Sequence, residues 1–332
     1  MYELIKSNRR KSFVVFISMG LLLMGLGAAI GAFMDPDPAS GQGAISGLFI
    51  AIIIWAIQSL IAFAGGDQVI LRMAKAREVH SDEDRELYNI IEELSIASGL
   101  PMPKIYVIDT PAMNAFATGM NPNKSVVAIT QGLRSRLNRQ EIQAVMAHEM
   151  SHIYNRDVRY MTFASIMLGT IVIISEILLR SFIWGGSSKR SSDNKGGGAA
   201  QIIIVVVVIL LAILAPILAR MFYFSLSRKR EYLADATSVS FTRDPISLAN
   251  ALEKISGDNT LFDPGKMTAA MCINKPRVKE HKENLASTHP PIQKRIAILR
   301  AMSMGTDYDT YMKVYASVIG KNDLPKNKKR NK

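Results

Sequence analysis

Runs of apolar residues set the layout of this chain before any single residue does. Four windows are almost free of charge: 13–34, 44–64, 161–179 and 201–219. Each has the roughly 20 residues that an α-helix needs to cross the hydrocarbon core of a bilayer. The fourth, with IIIVVVVILLAILA at its centre, is too long and too uniform for an amphipathic element. The third is less uniform, because Glu176 and Arg180 stand one turn apart near its far end, where they can pair or lie at the interface.

Elsewhere the apolar positions recur with a period. DEDRELYNIIEELSIASG puts Leu87, Ile90, Ile91 and Leu94 on one helical face, with Gly99 as the stop. KIYVID, NAFATG and SVVAIT are short strand-like runs. Asn138 followed by Glu141 marks a helix start, and the helix so begun carries AVMAHEMSHIYNRD. Three more helices follow: SLSRKREYLADATSVSF, ending before Asp244-Pro245, then PISLANALEKISG, then THPPIQKRIAILRAM with prolines at its entrance.

The layout is therefore an α+β, mainly α, integral membrane protein with about four transmembrane helices in two hairpins and a small β-sheet. It divides into an N-terminal hairpin (1–72), a polar piece (73–160), a second hairpin (161–224) and a second polar piece with a basic tail (225–332). The first window is longer than a signal peptide's apolar core and no small-residue cleavage site follows it, so it reads as an uncleaved anchor.

Charge orients these spans. Lys6, Arg9, Arg10 and Lys11 precede the first window, only Asp35 and Asp37 lie between the first two, and Arg72, Lys75 and Arg77 follow. The positive-inside rule then puts both termini and the polar pieces in the cytoplasm. The Gly/Ser-rich connector 185–200 carries Lys189, Arg190 and Lys195, which leaves a re-entrant second hairpin as the alternative. Beside four membrane windows, the net charge of +12 fits attraction to anionic lipid better than nucleic acid, for which no stacking platform is present. The lone Cys272 excludes an internal disulfide.

Two of the five histidines, His148 and His152, stand four apart with Glu149 between them. On a helix they share a face and offer two imidazole nitrogens to one ion. Zinc suits such ligands and leaves a position for water, whose proton Glu149 would take. A third ligand must come from elsewhere: His80, His281, His289, Asp157, Glu176 or Glu231. Glu231 has Asp235 one turn later, so Glu231 could bind metal while Asp235 orients an imidazole. Equally, both acids could pair with Arg228 and Arg230 on a solvated face. A shared ion would require the second hairpin to leave and return on one side, with the metal within roughly 20 Å of the membrane at ~1.5 Å per helical residue.

NAFATG, AHEMSHIYNRD, SRKREYLAD and STHPPIQKRI, in this order around two hydrophobic hairpins, resemble the HtpX-type membrane metalloproteases, relatives of the CAAX prenyl protease. The resemblance covers nearly the whole chain. It implies a zincin-type domain of the gluzincin class, one Zn2+ per subunit, and action on misfolded or damaged membrane proteins in the stress response at the bacterial inner membrane. Residue by residue, it implies His148, His152 and Glu231 as metal ligands, Glu149 as general base and Asp235 as support. His289 would donate to the oxyanion, and Arg295 would buttress the acids. Asn114, Ala115 and Phe116 match an edge strand on which substrate can add as a further strand; a core role for Phe116 is the alternative. Unfolded or membrane-protein polypeptides and membrane lipids are the implied partners, with overlap with other membrane quality-control proteases. Two other functions remain: a processing peptidase for one small or lipidated precursor, and a non-catalytic membrane adaptor or holdase.

Overall fold

The computed structural model describes residues 2–35, 37, 40–119, 121–184, 198–225, 228–258, 260, 290–302, 307–321 and 324. The helices are α1 (Tyr2–Met34), α2 (Gln42–Met73), α3 (Arg85–Ser98), α4 (Gln131–Arg136), α5 (Arg139–Tyr154), α6 (Val158–Trp184), α7 (Gly198–Ser225), α8 (Arg228–Thr242), α9 (Pro245–Gly257), α10 (Ile292–Ala301) and α11 (Tyr308–Ile319). The strands are β1 (Ala76–Glu78), β2 (Lys104–Ile108), β3 (Ala115–Thr118) and β4 (Val126–Thr130). Contacts divide the chain into two units. One is Met1–Ser12, Gly65–Thr162 and Phe224–Lys332; the other is Phe13–Ala64 and Phe163–Tyr223.

The second unit holds the apolar helices. Among the described residues, four helices are long and apolar enough to cross a membrane, over Phe13–Met34, Gln42–Met73, Tyr160–Arg180 and Ile202–Phe222. Their packing rests on small residues. A Cβ on Gly31 would run into the Gly43 carbonyl, and one on Gly27 would lie 2.7 Å from the Gly47 carbonyl oxygen. Glycines four apart on α1 and α2 thus let the two backbones touch, which matters in lipid, where no hydrophobic force draws helices together. Phe16 joins this unit's helices by tilted ring contacts with Trp55 (4.9 Å between ring centroids) and Phe163 (4.4 Å). Leu21, Phe49, Leu60 and Ile202 stay exposed, as lipid-facing side chains should. Composition placed the first boundary at 72. The contacts place it at Gly65, where α2 breaks (φ −163°, ψ 31°) before its last residues join the other unit.

The first unit is α+β. Its sheet runs β1-β2-β4-β3, with β2 and β4 parallel and both outer pairs antiparallel. β1 was not legible in the sequence, since two of its three residues are charged. Such residues suit an edge: Glu78 accepts from Lys104 Nζ (3.2 Å) and from the Tyr106 hydroxyl (3.0 Å). α3 buries Leu87, Ile90, Ile91 and Leu94 against a core shared with α5, α8, α9, α10 and α11. It ends at Gly99 in the left-handed conformation (φ 68°), which glycine adopts without strain. At its start Asp84 accepts from the Leu87 N–H (3.0 Å) and takes Nε and Nη2 of Arg134 (2.8 and 3.1 Å). α5 begins with the expected capping box, Asn138 and Glu141 each accepting from the other's backbone N–H.

Two predictions follow from this packing. Gly31→Val should lower the melting temperature of the detergent-solubilised protein, at an overpacking cost of about 1–3 kcal/mol. Gly25→Val, where a Cβ meets nothing within 4 Å, should leave it unchanged. Burial pushes the Asp84 carboxyl up, but Arg134 and the α3 amides outweigh it and hold it below its ordinary value. That stabilisation is present above the unfolded value of about 4 and is lost as pH falls through the folded one. Asp84→Asn should therefore cost about 1–2 kcal/mol at neutral pH, and the difference from wild type should close in melts at acid pH.

Candidate metal centre

The fixed start of α5 sets the rotation of everything after it. Glu141 of the capping box is held again by Lys254 Nζ of α9 (2.7 Å), so α5 is anchored from two sides. One face then packs on the sheet and core while His148 and His152 point along the side that meets α8, with Glu149 buried between them in sequence. The two imidazoles stand edge to face, with centroids 4.9 Å apart and planes at 87°. From α8, the Glu231 carboxylate reaches both rings: Oε2 lies 3.5 Å from His148 Nε2, and Oε1 lies 3.6 Å from His152 Nε2. One ligand atom from each of these residues lies within 4.8 Å of the others. A tetrahedral ion with bonds of ~2.1 Å sets its ligands ~3.4 Å apart, so the spacing fits a small divalent cation.

Charge supports the same fit. Glu149, Asp157, Glu231 and Asp235 are all buried, as are Arg230 and Arg295. Four buried carboxylates against two buried guanidiniums leave more acids than permanent cations around the two imidazoles. Burying such an excess is costly unless it is compensated, and a dication removes it.

Each ring also has an acid at its other nitrogen. His148 Nδ1 lies 3.0 Å from Asp235 Oδ1, and His152 Nδ1 lies 3.6 Å from Asp157 Oδ2. At the 3.0 Å of Asp235 a carboxylate orients a metal-binding imidazole. Arg295 lies across the acids. Its Nε and Nη2 donate to the two oxygens of Asp235 (2.8 and 2.7 Å), and its Nη1 donates to Glu231 Oε2 (3.2 Å). Burial pulls the His148 imidazole down, but Asp235 and Glu231 outweigh it and lift it to about 9. Burial pushes Asp235 up, while Arg295 and His148 bring it below its usual value. The pocket is thus built to hold positive charge between its acids.

The sequence pattern of Peptidase family M48 matches residues 81–303. The chain belongs to peptidase family M48. It is 41% identical over 305 residues to "Protease HtpX homolog" of Dictyoglomus thermophilum, covering 91% of this chain and 94% of that one. The "Protease HtpX homolog" of Listeria monocytogenes serotype 4a is 39% identical over 309 residues, covering 91% and 100%. The crystal structure of S. mikatae Ste24p aligns with a TM-score of 0.46 at 20% identity, over 90% of this chain and 67% of that one. This M48 chain is a membrane metalloprotease.

The other expected site residues divide three ways. Glu231 and Asp235 are buried beside the rings with Arg295 as a partner, rather than on a solvated face. Asp157, one of the possible third ligands, stands behind His152, on the side away from Glu231. His281 and His289 lie outside the described residues. β3 is the edge strand next to β4 and packs on α5, but the side chains at its start are buried. Phe116 belongs to the core with Ile70, Leu71, Tyr106 and Ile108, because strand alternation turns it to the sheet face that α2 covers. Asn114 is occupied by Thr130, whose N–H and hydroxyl both donate to its carbonyl (3.0 Å each), and its own Oδ1 accepts from the Ala115 N–H (3.0 Å). Arg230 is the residue that sequence reasoning missed at the site: its Nε lies 3.6 Å from Asp157 Oδ1. Only its place beside Glu231 could have hinted at this, and a neighbour in a helix normally faces elsewhere.

If the three side chains share one ion, Glu231→Ala should reduce the metal content of purified protein to a small fraction of wild type. Metal analysis of the two side by side checks this, and equal content would remove Glu231 from the ligand set.

Proposed function

We propose that this chain is a zinc endopeptidase that cleaves misfolded or damaged membrane proteins at the cytoplasmic face of the bacterial inner membrane. One observation carries the reading. His148 and His152 converge with Glu231 in one buried, negatively charged site, although the hydrophobic stretch of α6 and α7 separates them in the chain. Two imidazoles and one carboxylate are the donor set that zinc takes in hydrolytic enzymes, with a position to spare. Zinc bound there would supply Lewis acidity toward the scissile carbonyl and the attacking water.

The chain's own groups supply the remainder. Glu149 follows the first ligand, and its carboxylate accepts the proton of the attacking water and returns it to the leaving amine. By accepting at Nδ1, Asp235 would leave the His148 Nε2 lone pair available to a metal ion. Arg295 holds Asp235 at both oxygens and steadies Glu231 at one. The main chain of β3, which runs beside α5 at the sheet edge, offers a track on which an extended segment can add irrespective of its side chains. Little selectivity is what a clearance protease needs.

The membrane part of the reading rests on the four apolar helices and on the distribution of basic residues around them. Anionic lipid is then a partner of the basic flanks, and other membrane quality-control proteases share the substrate pool.

Glu149→Gln should keep the metal while cleavage of an unfolded membrane protein falls by about 10²–10⁴-fold. Mass mapping of the wild-type fragments should show scattered cuts. A single sharp cut in one small substrate would favour the processing-peptidase reading instead.

A further inference from the structure

Asp157 is not needed by any step above, yet it is among the most deeply buried acids of the chain. It lies in the turn between α5 and α6, and the backbone gives it little freedom. Its N–H donates to the His152 carbonyl (2.9 Å), and its own carbonyl accepts from the N–H groups of Tyr160 and Met161 (3.1 Å each). Arg156 before it adopts the left-handed conformation (φ 61°), which is strained for a residue with a side chain and turns the chain back under His152. Asn155 ties the same turn to α8 through Thr237 Oγ1 (3.4 Å).

The result is a three-residue line. His152 Nδ1 is buried and makes no standard hydrogen bond among the described residues, and Asp157 Oδ2 stands 3.6 Å from it. On Asp157's other oxygen lies the buried Arg230 guanidinium, again at 3.6 Å. Arg230 immediately precedes Glu231. The line therefore starts at His152 and ends beside Glu231.

We propose that Asp157, held by Arg230, is a positioning residue for the metal site. It keeps the proton of His152 on Nδ1 and so leaves the Nε2 lone pair for the ion. The pair does for His152 what Asp235 and Arg295 do for His148, so each imidazole has its own carboxylate–guanidinium support. Asp157 directly precedes α6, and Arg230 is in the first turn of α8. The support of His152 is thus built from the two places where the chain departs for the hydrophobic hairpin and comes back from it. This inference rests on the reading of His148, His152 and Glu231 as a metal site.

The test is metal affinity, measured with zinc alone against a chromophoric chelator, together with the cobalt absorption spectrum and the melting temperature of the metal-free full chain. Asp157→Asn should bind zinc about 10–100-fold more weakly, with altered cobalt bands and a metal-free melt like that of wild type. Arg230→Gln should move affinity in the same direction by less, and it decides the question if Asp157→Asn does not accumulate in folded form. Affinity within twofold of wild type, or weaker binding matched by an equal loss in the metal-free melt, overturns the proposal and leaves Asp157 as a helix cap. Wild type that binds no zinc would sink the metal-site reading itself, a distinguishable result.

Discussion

A buried excess of negative charge is the constraint from which the arrangement of the catalytic unit follows. Glu149, Asp157, Glu231 and Asp235 crowd around two imidazoles, with Arg230 and Arg295 as the buried cations facing them. Such a cluster is tolerable only where every acid has a partner and the remaining charge is met by a bound cation or a proton. That requirement explains why α5 and α8 pack face to face and why α10 delivers an arginine into their seam. It also accounts for the direction in which His148 is shifted, since Asp235 and Glu231 raise it against the effect of burial.

The membrane unit obeys a different rule. In lipid, burial of apolar surface does not hold helices together, so contact depends on how closely backbones approach. Gly27 and Gly31 against Gly43 and Gly47 provide that approach, and the ring cluster of Phe16, Trp55 and Phe163 fills the space beyond it. The two units thus spend their small and charged residues oppositely. Glycines do the joining in one, and carboxylates with guanidiniums in the other.

Much was legible because its physics is local. The periods of α3 and α9, the capping box of α5, the Gly99 stop and the four apolar spans all depend on residues within a turn or two of each other. β1 and α11 were not legible. β1 is too short and charged to show a period, and it exists because β2 offers it an edge. α11 has local signals in its caps, Asp307 and Gly320, but its buried face of Tyr311, Met312 and Tyr315 is a weak apolar stripe. Phe116 shows the same limit from the other side: a strand's alternation is readable, but not which face the protein covers.

By itself the sequence determined the spans, the helix that carries His148, Glu149 and His152, and the four-residue spacing that puts both rings on one face, since a helix converts spacing into direction. It could not choose between Glu231 as a ligand and Glu231 as a surface ion pair, because both are consistent with one amphipathic turn. The packing of α8 on α5 decided that, and with it the places of Asp157, Arg230 and Arg295. Those side chains are brought together from positions up to 138 apart, and a distance of that kind is written in the shape of the core rather than in any local pattern.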